Sequence, residues 1–331
     1  MAKLALDGLS VTLQTARGPL AAVRDLSFAI EAGAAVGIVG ESGCGKSMTA
    51  LAIMGLLPDR AMTRGRVRLD GVDLLALDDA AMSAVRGRRI AMVFQEPMTA
   101  LNPVHPVGAQ VAEALVIHGL MDRTAAAAEA VRLLDRVGIA EPDLRARSYP
   151  HQLSGGQRQR AMIAMALSCG PEVLIADEPT SALDVTVQRQ ILDLIRDLAR
   201  ERGMALVLIS HDLAVVAGNV DRVLVMYGGS AVEEGPVTTL FRGMAHPYAQ
   251  GLFRAAPARA LTGARRPARL PTIAGSVPDL TKLPMGCAFA PRCDLAEAAC
   301  REQAPAWVAV ADDHHAACRR TDAARARWRT S

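Results

Sequence analysis

Aromatic residues are scarce, only 3% of the 331-residue chain, which removes the stacking platforms that single-stranded nucleic acid binding relies on. An excess of one charge sign is lacking too. The chain has 37 basic and 34 acidic residues, a net charge of +3, so no global field draws it to nucleic acid or an anionic surface. Lysine occurs only at Lys3, Lys46 and Lys282, and the remaining side-chain cations are arginines in an alanine-rich background. No uncharged apolar stretch reaches the roughly 18 residues of a membrane span. Asp7 interrupts the N-terminus before a signal-peptide core forms, so a soluble, cytoplasmic chain is expected. What the sequence does have is apolar bulk: a 51% apolar composition excludes intrinsic disorder. Its length exceeds the roughly 250–300 residues that one core supports, which favours a main domain with an appendage. Six cysteines in such a chain point to metal binding or burial rather than disulfides, and four of them crowd between Cys287 and Cys318.

Apolar patterning gives the order of elements. Short β-like runs are expected at Leu9–Leu13 and Leu26–Ile30, with a turn near Arg17–Pro19. Ala34–Val39 reads as a strand entering a glycine-rich loop, and Ser47–Leu57 as the helix after it. Gly65–Leu69 and Ile90–Phe94 read as strands. Val107–His118 and Thr124–Val137 carry apolar residues at helical spacing, and Val187–Arg202 reads as a further helix. Val173–Ala176 and Ala205–Ile209 are unbroken apolar runs, as strands covered on both faces require. Strand, loop and helix in this alternation specify an α/β nucleotide-binding architecture. After about Phe253, arginines interspersed with alanine and proline read as a linker, and a cysteine-rich tail follows.

The chemistry concentrates in a few strings. Gly40-Glu41-Ser42-Gly43-Cys44-Gly45-Lys46-Ser47 fits G-x-x-x-x-G-K-[ST] between an expected strand and helix. Its glycines let backbone N–H groups turn toward phosphate oxygens, with the positive helix end behind them. Lys46 reaches the β- and γ-phosphates, and the Ser47 hydroxyl can ligate Mg²⁺. Val173-Leu-Ile-Ala-Asp177-Glu178 brings Asp177 to a strand end, suited to the Mg²⁺ shell, with Glu178 next as an acceptor for a proton from water. Leu153-Ser154-Gly155-Gly156-Gln157 opens an apolar helix and forms a second anion site. One nucleotide does not need two such sites, so the second is expected to serve a neighbouring chain. Gln95 and His211 each close a strand run, and all five features follow one order at compatible distances.

Taken together, these residues resemble an ATP-binding-cassette ATPase of the P-loop NTPase class. The resemblance implies a RecA-like core, an antiparallel β subdomain, a helical subdomain and a small cysteine-rich C-terminal extension. It assigns Walker A to residues 40–47, the glutamine loop to Gln95, the signature to residues 153–157 and Walker B to residues 173–178. The D-loop is Ser181-Ala-Leu-Asp184 and the switch histidine is His211. It further implies a head-to-tail dimer with ATP between one chain's Walker A and the other's signature. Glu178 is then the catalytic base, His211 a γ-phosphate contact, and Ser47, Gln95 and Asp177 the Mg²⁺ site. One departure stands out: residues 9–20 hold no aromatic side chain to stack on adenine, and Leu13 lies near the expected place. Losing that stacking removes about 0.5–1.5 kcal/mol of nucleotide affinity or base selectivity.

Further strings resemble the ATP-binding subunits of dipeptide, oligopeptide and nickel importers. These are Met92–Pro103, Met226–Pro236, His246-Pro-Tyr248 and Leu283-Pro-Met-Gly-Cys287-Ala-Phe-Ala-Pro-Arg-Cys293, with Cys300 and Cys318 beyond. The implied domains are a cassette over residues 1–255, with its helical part at about 98–155, and a linker with the cysteine-rich region over 256–331. Five, six and seventeen residues separate Cys287, Cys293, Cys300 and Cys318, with no C-x₂-C knuckle of the usual zinc site. The proline-rich setting suits a loop wrapped around a centre better than a helix. By resemblance a [4Fe–4S] cluster ranks ahead of Zn²⁺, for which His314 or His315 are candidate extra ligands, and reduced thiols in a small core rank third. Cys44 and Cys169 read as bystanders. The implied partners are a second, similar but distinct ATPase chain in preference to a homodimer, two permease subunits and a periplasmic or extracellular substrate-binding protein, with no nucleic acid. The expected setting is the cytoplasmic face of an inner membrane. The expected cargo is dipeptides or oligopeptides, with nickel or opine-like solutes as the alternative. A non-transport cassette ATPase ranks last, because the chain has neither tandem cassettes nor a long coiled-coil insertion.

Overall fold

The structure, a computed structural model, describes residues 2–96, 100–180, 183–255 and 272–329. The strands are β1 (Leu4–Thr15), β2 (Gly18–Ile30), β3 (Ala35–Val39), β4 (Met62–Leu69), β5 (Val72–Asp73), β6 (Ile90–Val93), β7 (Val173–Asp177), β8 (Ala205–Ser210), β9 (Arg222–Tyr227), β10 (Ser230–Pro236), β11 (Val308–Ala311) and β12 (His314–Ala316). The helices are α1 (Lys46–Ile53), α2 (Asp79–Val85), α3 (Val107–Ile117), α4 (Arg123–Arg136), α5 (Pro142–Arg147), α6 (Gly155–Leu167), α7 (Val185–Arg202), α8 (Leu213–Ala217), α9 (Val237–Arg242), α10 (Pro247–Ala255), α11 (Ala298–Glu302) and α12 (Thr321–Arg329). They fall into two compact units. The first holds Met1–Leu4, Ile30–Ala34 and Ala76–Val207, and the second holds Ala5–Ala29, Ala35–Leu75 and Leu208–Ser331.

In the first unit β6 and β7 run parallel from Ile90↔Val173 to Val93↔Ala176, and every residue of both strands is buried. That burial explains the unbroken apolar runs seen in the sequence. Helices α3 to α6 belong to this unit, with Val107, Val111, Leu133 and Leu134 among the buried residues of α3 and α4. Four helix starts are fixed by a side chain on a first-turn N–H group: Asp78 at α2, Asp122 at α4, Ser154 at α6 and Asp184 at α7. Gly203, at φ 62°, stops α7 in a left-handed cap. Glu172 accepts two hydrogen bonds from Arg89, at 2.7 and 3.0 Å, and one from Lys3 at 2.9 Å.

In the second unit one sheet is ordered β2-β1-β4-β5. Strands β1 and β2 run well beyond the expected Leu9–Leu13 and Leu26–Ile30. The buried set of β1 switches from Leu4 and Leu6 to Leu9 and Val11, a one-residue break at Gly8, whose φ is 59°. Such a break hides the period of two that a strand otherwise shows. The other strands of this unit follow the order β11-β12-β10-β9-β3. Of these, β3 is parallel to β9, and β9, β10, β12 and β11 are antiparallel in turn. Gly228 and Gly229, at φ 57° and 84°, make the tight turn from β9 to β10. Pairing of Glu233 with Ala316 joins the C-terminal region to this sheet through strands the sequence pattern did not reveal. Helix α1 is also shorter than expected, ending at Ile53, because Gly55 takes a left-handed φ of 63° that breaks it before Leu56 and Leu57. The expected linker lies in residues 256–271, outside the described residues.

Candidate functional site

Residues 40–45 leave the end of β3 and turn directly into α1. Gly45 sits at φ 103°, and a Cβ there would lie 2.3 Å from the Ala22 carbonyl oxygen. A Cβ at Gly40 would lie 2.3 Å from Met226 O and 2.6 Å from Cys44 Sγ. Only glycine fits either place, so the loop's glycines answer to close backbone approach as well as conformation. Lys46 is buried, and its ammonium donates to Gly40 O at 2.8 Å and Glu41 O at 3.1 Å, which holds it along the inside of the loop. Ser47 follows in the first turn of α1, half-buried. Ser42 and Gly43 are exposed, Gly43 at φ 81°. The Cys44 thiol lies under the loop, and burial raises its pKa. Backbone N–H groups, a helix N-terminus and a held ammonium are together groups that can receive a polyphosphate.

Asp177 closes β7 and is buried, whereas Glu178 turns away on a left-handed φ of 44°. That backbone is costly for a non-glycine residue, a strain that clusters at functional positions. The Glu178 carboxylate accepts a hydrogen bond from Gln95 Nε2 at 3.3 Å, so two residues 83 positions apart meet side chain to side chain. Gln95 lies two residues beyond β6 and is exposed. His211 follows β8 directly and is exposed in the second unit. Buried Asp177 with half-buried Glu178 offers one carboxylate for a cation and another for a water proton.

Ser154 and Gly155, at the start of α6, are exposed. The Ser154 hydroxyl accepts from Gln157 N at 3.3 Å, and Gln157 Oε1 accepts from Ser154 N at 2.9 Å. This reciprocal capping box fixes the helix start and engages the Gln157 carboxamide locally. Next to it, Gly156 packs so that a Cβ would lie 3.2 Å from Val187 Cγ1, on the helix that Asp184 caps. Asp184 accepts from Thr186 N and Val187 N, both at 3.0 Å. Ser181 and Ala182 of the expected D-loop lie outside the described residues.

Cys287, Cys293, Cys300 and Cys318 line one small cavity of about 20 Å³ with His246, Phe289 and Ala290. Burial raises the thiols of Cys287 and Cys293 and pushes that of Cys318 up to about 12. In kind this donor set suits an iron–sulfur or zinc centre. In placement it does not, because among the described residues no three His, Cys, Asp or Glu side chains are grouped so as to hold a metal ion. Two expectations about this region need correcting. Cys300 sits on helix α11 rather than in a loop. His314 is fully buried with Nε2 2.8 Å from Glu233 Oε1, and so is committed elsewhere.

Sequence reading missed two side chains that touch the phosphate loop. The Glu41 N–H donates to the Tyr248 hydroxyl at 2.7 Å, and the Glu41 carboxylate accepts from Arg292 at 2.6 and 3.0 Å. Both lie inside the His246-Pro-Tyr248 and Leu283–Cys293 strings, where the patterns themselves were visible and their target was not.

Comparison with known proteins bears on the whole chain. The family described as ABC transporter matches residues 23–181, and that described as oligopeptide/dipeptide transporter, C-terminal region, matches residues 232–300. A probable peptide ABC transporter ATP-binding protein of Sinorhizobium fredii is 50% identical over 91% of this chain and 90% of its own length. A putative peptide import ATP-binding protein of Brucella abortus is 49% identical over 95% and 96%, respectively. A solved dimeric ATP-binding cassette in a post-hydrolysis state, bound to ADP and Pi, is 30% identical and superposes with a TM-score of 0.64 over 71% of this chain and 98% of that one. Matched in family, in relatives over nine-tenths of its length and in fold, the chain belongs to the ABC transporter family as an ATP-binding cassette ATPase.

Proposed function

We propose that this chain is the ATP-hydrolysing subunit of a membrane importer for dipeptides and oligopeptides, bound peripherally at the cytoplasmic face. The hydrogen bond between Gln95 and Glu178 carries the reading, because it puts a carboxylate and its orienting amide together at the end of the Walker B strand. The peptide cargo is supported by the relatives in Sinorhizobium and Brucella, described as ATP-binding proteins of peptide transporters, and by the family matched over residues 232–300. Among the described residues no helix is long and apolar enough to cross a membrane, so translocation falls to partner permeases.

In this reading Gly40–Ser47 binds the nucleotide phosphates, with Lys46 on the β- and γ-oxygens. By resemblance Ser47, Gln95 and Asp177 would hold Mg²⁺, which when bound would supply neutralisation of charge on the transferred phosphoryl group. Glu178 takes the proton from the attacking water, Gln95 orients it, and His211 contacts the γ-phosphate. Ser154 with Gly155, Gly156 and Gln157 acts on the ATP of a second ATPase chain, and the exposure of Ser154 and Gly155 suits that role. Asp184 fixes the start of α7 beside the signature helix. The cassette spans residues 1–255, with its helical part near 98–155, and residues 256–331 form the linker and cysteine-rich extension. The assembly contains a similar but distinct second ATPase, two permeases and a substrate-binding protein. By resemblance Cys287, Cys293, Cys300 and Cys318 would be the ligands of a [4Fe–4S] cluster, with Zn²⁺ second; they share a cavity but are not grouped here so as to hold a metal ion, and no step of hydrolysis uses such a centre.

The test is Glu178→Gln in the assembled transporter. ATP turnover should fall about 10²–10⁴-fold with nucleotide binding kept, the usual contribution of a general base. Uptake of labelled dipeptide should be lost and uptake of nickel unaffected. Near wild-type turnover would remove Glu178 as base, and loss of nickel uptake alone would replace the cargo. Iron, sulfide and zinc in anaerobically purified protein decide the cluster: colourless protein with stoichiometric zinc removes it.

A further inference from the structure

Several strings singled out in the sequence have no part in phosphate chemistry: Tyr227, Glu233, His246-Pro-Tyr248 and Pro291-Arg292-Cys293. In the second unit they converge behind the phosphate loop. Tyr227, Tyr248 and Phe289 form an aromatic cluster with ring centroids 4.5, 5.2 and 5.4 Å apart. Buried Glu233 accepts from Ala245 N at 2.7 Å and His246 N at 2.8 Å, which fixes the chain just before Tyr248. The Arg292 guanidinium lies 5.8 Å from the centroids of both Tyr227 and Phe289, within cation–π reach. It donates to Ala274 O at 2.8 Å and closes a two-bond fork on Glu41, 251 residues away in sequence. Its side chain is only 6% exposed.

Glu41 is the second residue of the phosphate loop, so this fork acts on the nucleotide site in two ways. It neutralises a carboxylate that would otherwise repel phosphates across a half-buried, weakly screened space. It also anchors the residue whose carbonyl accepts from the Lys46 ammonium, at 3.1 Å. On its other side Arg292 is bonded in sequence to Cys293, one of the four cysteines around the small cavity, and Phe289 lines both the cavity and the aromatic cluster. The phosphate loop and the cysteine cavity therefore share one rigid set of side chains.

We propose that Arg292 is a positioning residue of the phosphate loop, through which the cysteine-lined cavity sets the loop's affinity for nucleotide. The inference rests on the assignment of residues 40–47 as the ATP site. It adds regulation of that site from the C-terminal extension. Breaking the fork leaves Glu41 charged and unpaired, and a hydrogen bond to a charged group is worth tenfold or more in affinity. The cost falls on binding, because Arg292 bonds to Glu41 of the loop, to the Tyr227 hydroxyl and to the Ala274 and Ile273 carbonyls.

The experiment measures the dissociation constant of Mg–ATP for the purified full chain, and KM with kcat for the assembled transporter. Arg292→Gln should weaken ATP about tenfold and raise KM with kcat retained. Tyr248→Phe, which keeps the ring cluster and loses only the hydroxyl on Glu41 N–H, should weaken ATP about threefold and guards against misfolding of the first variant. Glu41→Gln with Arg292→Gln should bind no worse than Arg292→Gln alone, since the repelling charge is gone. Cys293→Ser should weaken ATP in the wild-type background and add nothing on top of Arg292→Gln, the non-additivity of residues acting through one another. Wild-type affinity in both Arg292→Gln and Tyr248→Phe overturns the proposal, as does a Cys293→Ser effect of equal size in both backgrounds. Lys46→Ala separates the two readings: if it still binds ATP, the nucleotide site itself is misassigned, whatever Arg292 does.

Discussion

The phosphate loop and the side-chain cluster behind it are built on opposite plans. The loop is eight consecutive residues, Gly40–Ser47, and most of its donors are backbone N–H groups whose directions follow from glycines at fixed offsets. The cluster draws Glu41, Tyr227, Glu233, Tyr248, Phe289 and Arg292 from across the second unit, and every contact in it is made by a side chain. The loop can be recognised in any sequence that contains it. The cluster exists only once β9, β10 and the C-terminal segment have packed together. Backbone-borne chemistry is thus local in sequence and side-chain-borne chemistry is not.

The sharpest way to break this comparison is to damage the loop without touching the cluster. Gly40→Val puts a branched side chain where even a Cβ would lie 2.3 Å from Met226 O, so nucleotide binding should vanish in an equilibrium titration. In the cluster, Glu233→Ala strands Ala245 N–H, His246 N–H and His314 Nε2 in a fully buried place. Lost stability of about 3–5 kcal/mol is expected from denaturant unfolding, with weakened ATP binding as a secondary effect.

Acid sensitivity gives a third, smaller handle on the cluster. Burial lowers His246 from 6.5 to about 3, and its Nδ1 accepts from Tyr248 N at 3.1 Å, which requires the neutral ring. Because the folded pKa lies below the unfolded one, the unfolded chain binds the extra proton between the two values. The stability is therefore complete above pH 6.5 and is lost as the pH falls toward 3. The slope approaches about 1.4 kcal/mol per pH unit, and His246→Asn, which keeps an acceptor without a titrating ring, should flatten it in unfolding curves measured across pH. Smallest of all, Met285→Ser in the same C-terminal region should change stability by no more than about 0.5 kcal/mol, since Met285 is 87% exposed. A large effect there would show that Met285 is covered in solution.

Much of the first unit could be read from periodicity. The run at Val173–Ala176 lies within β7, and Val107–His118 and Thr124–Val137 match α3 and α4 to within a residue. Long amphipathic helices and fully buried strands announce themselves, because their burial follows from a regular spacing. Less was legible in the second unit. β1 hides its first four residues behind the break at Gly8, and β11 and β12 are short strands at one edge of their sheet, β12 pairing with β10 and β11 with β12. The four cysteines suggested a centre, and the chain does gather them on one cavity, but Cys300 reaches it from α11 and His314 turns to Glu233 instead.

From sequence alone came the motifs and the family they belong to: the loop with Lys46 and Ser47, the Asp177–Glu178 pair and the capped start of α6. These survive as strings because each works through backbone geometry or through neighbours a few residues away. Tertiary structure alone decided that Gln95 meets Glu178, that Tyr248 and Arg292 hold Glu41, and that the cysteine cavity adjoins the loop's own anchor. Side-chain contacts across 83 to 251 residues depend on the register of strands and the packing of rings, which no local pattern encodes.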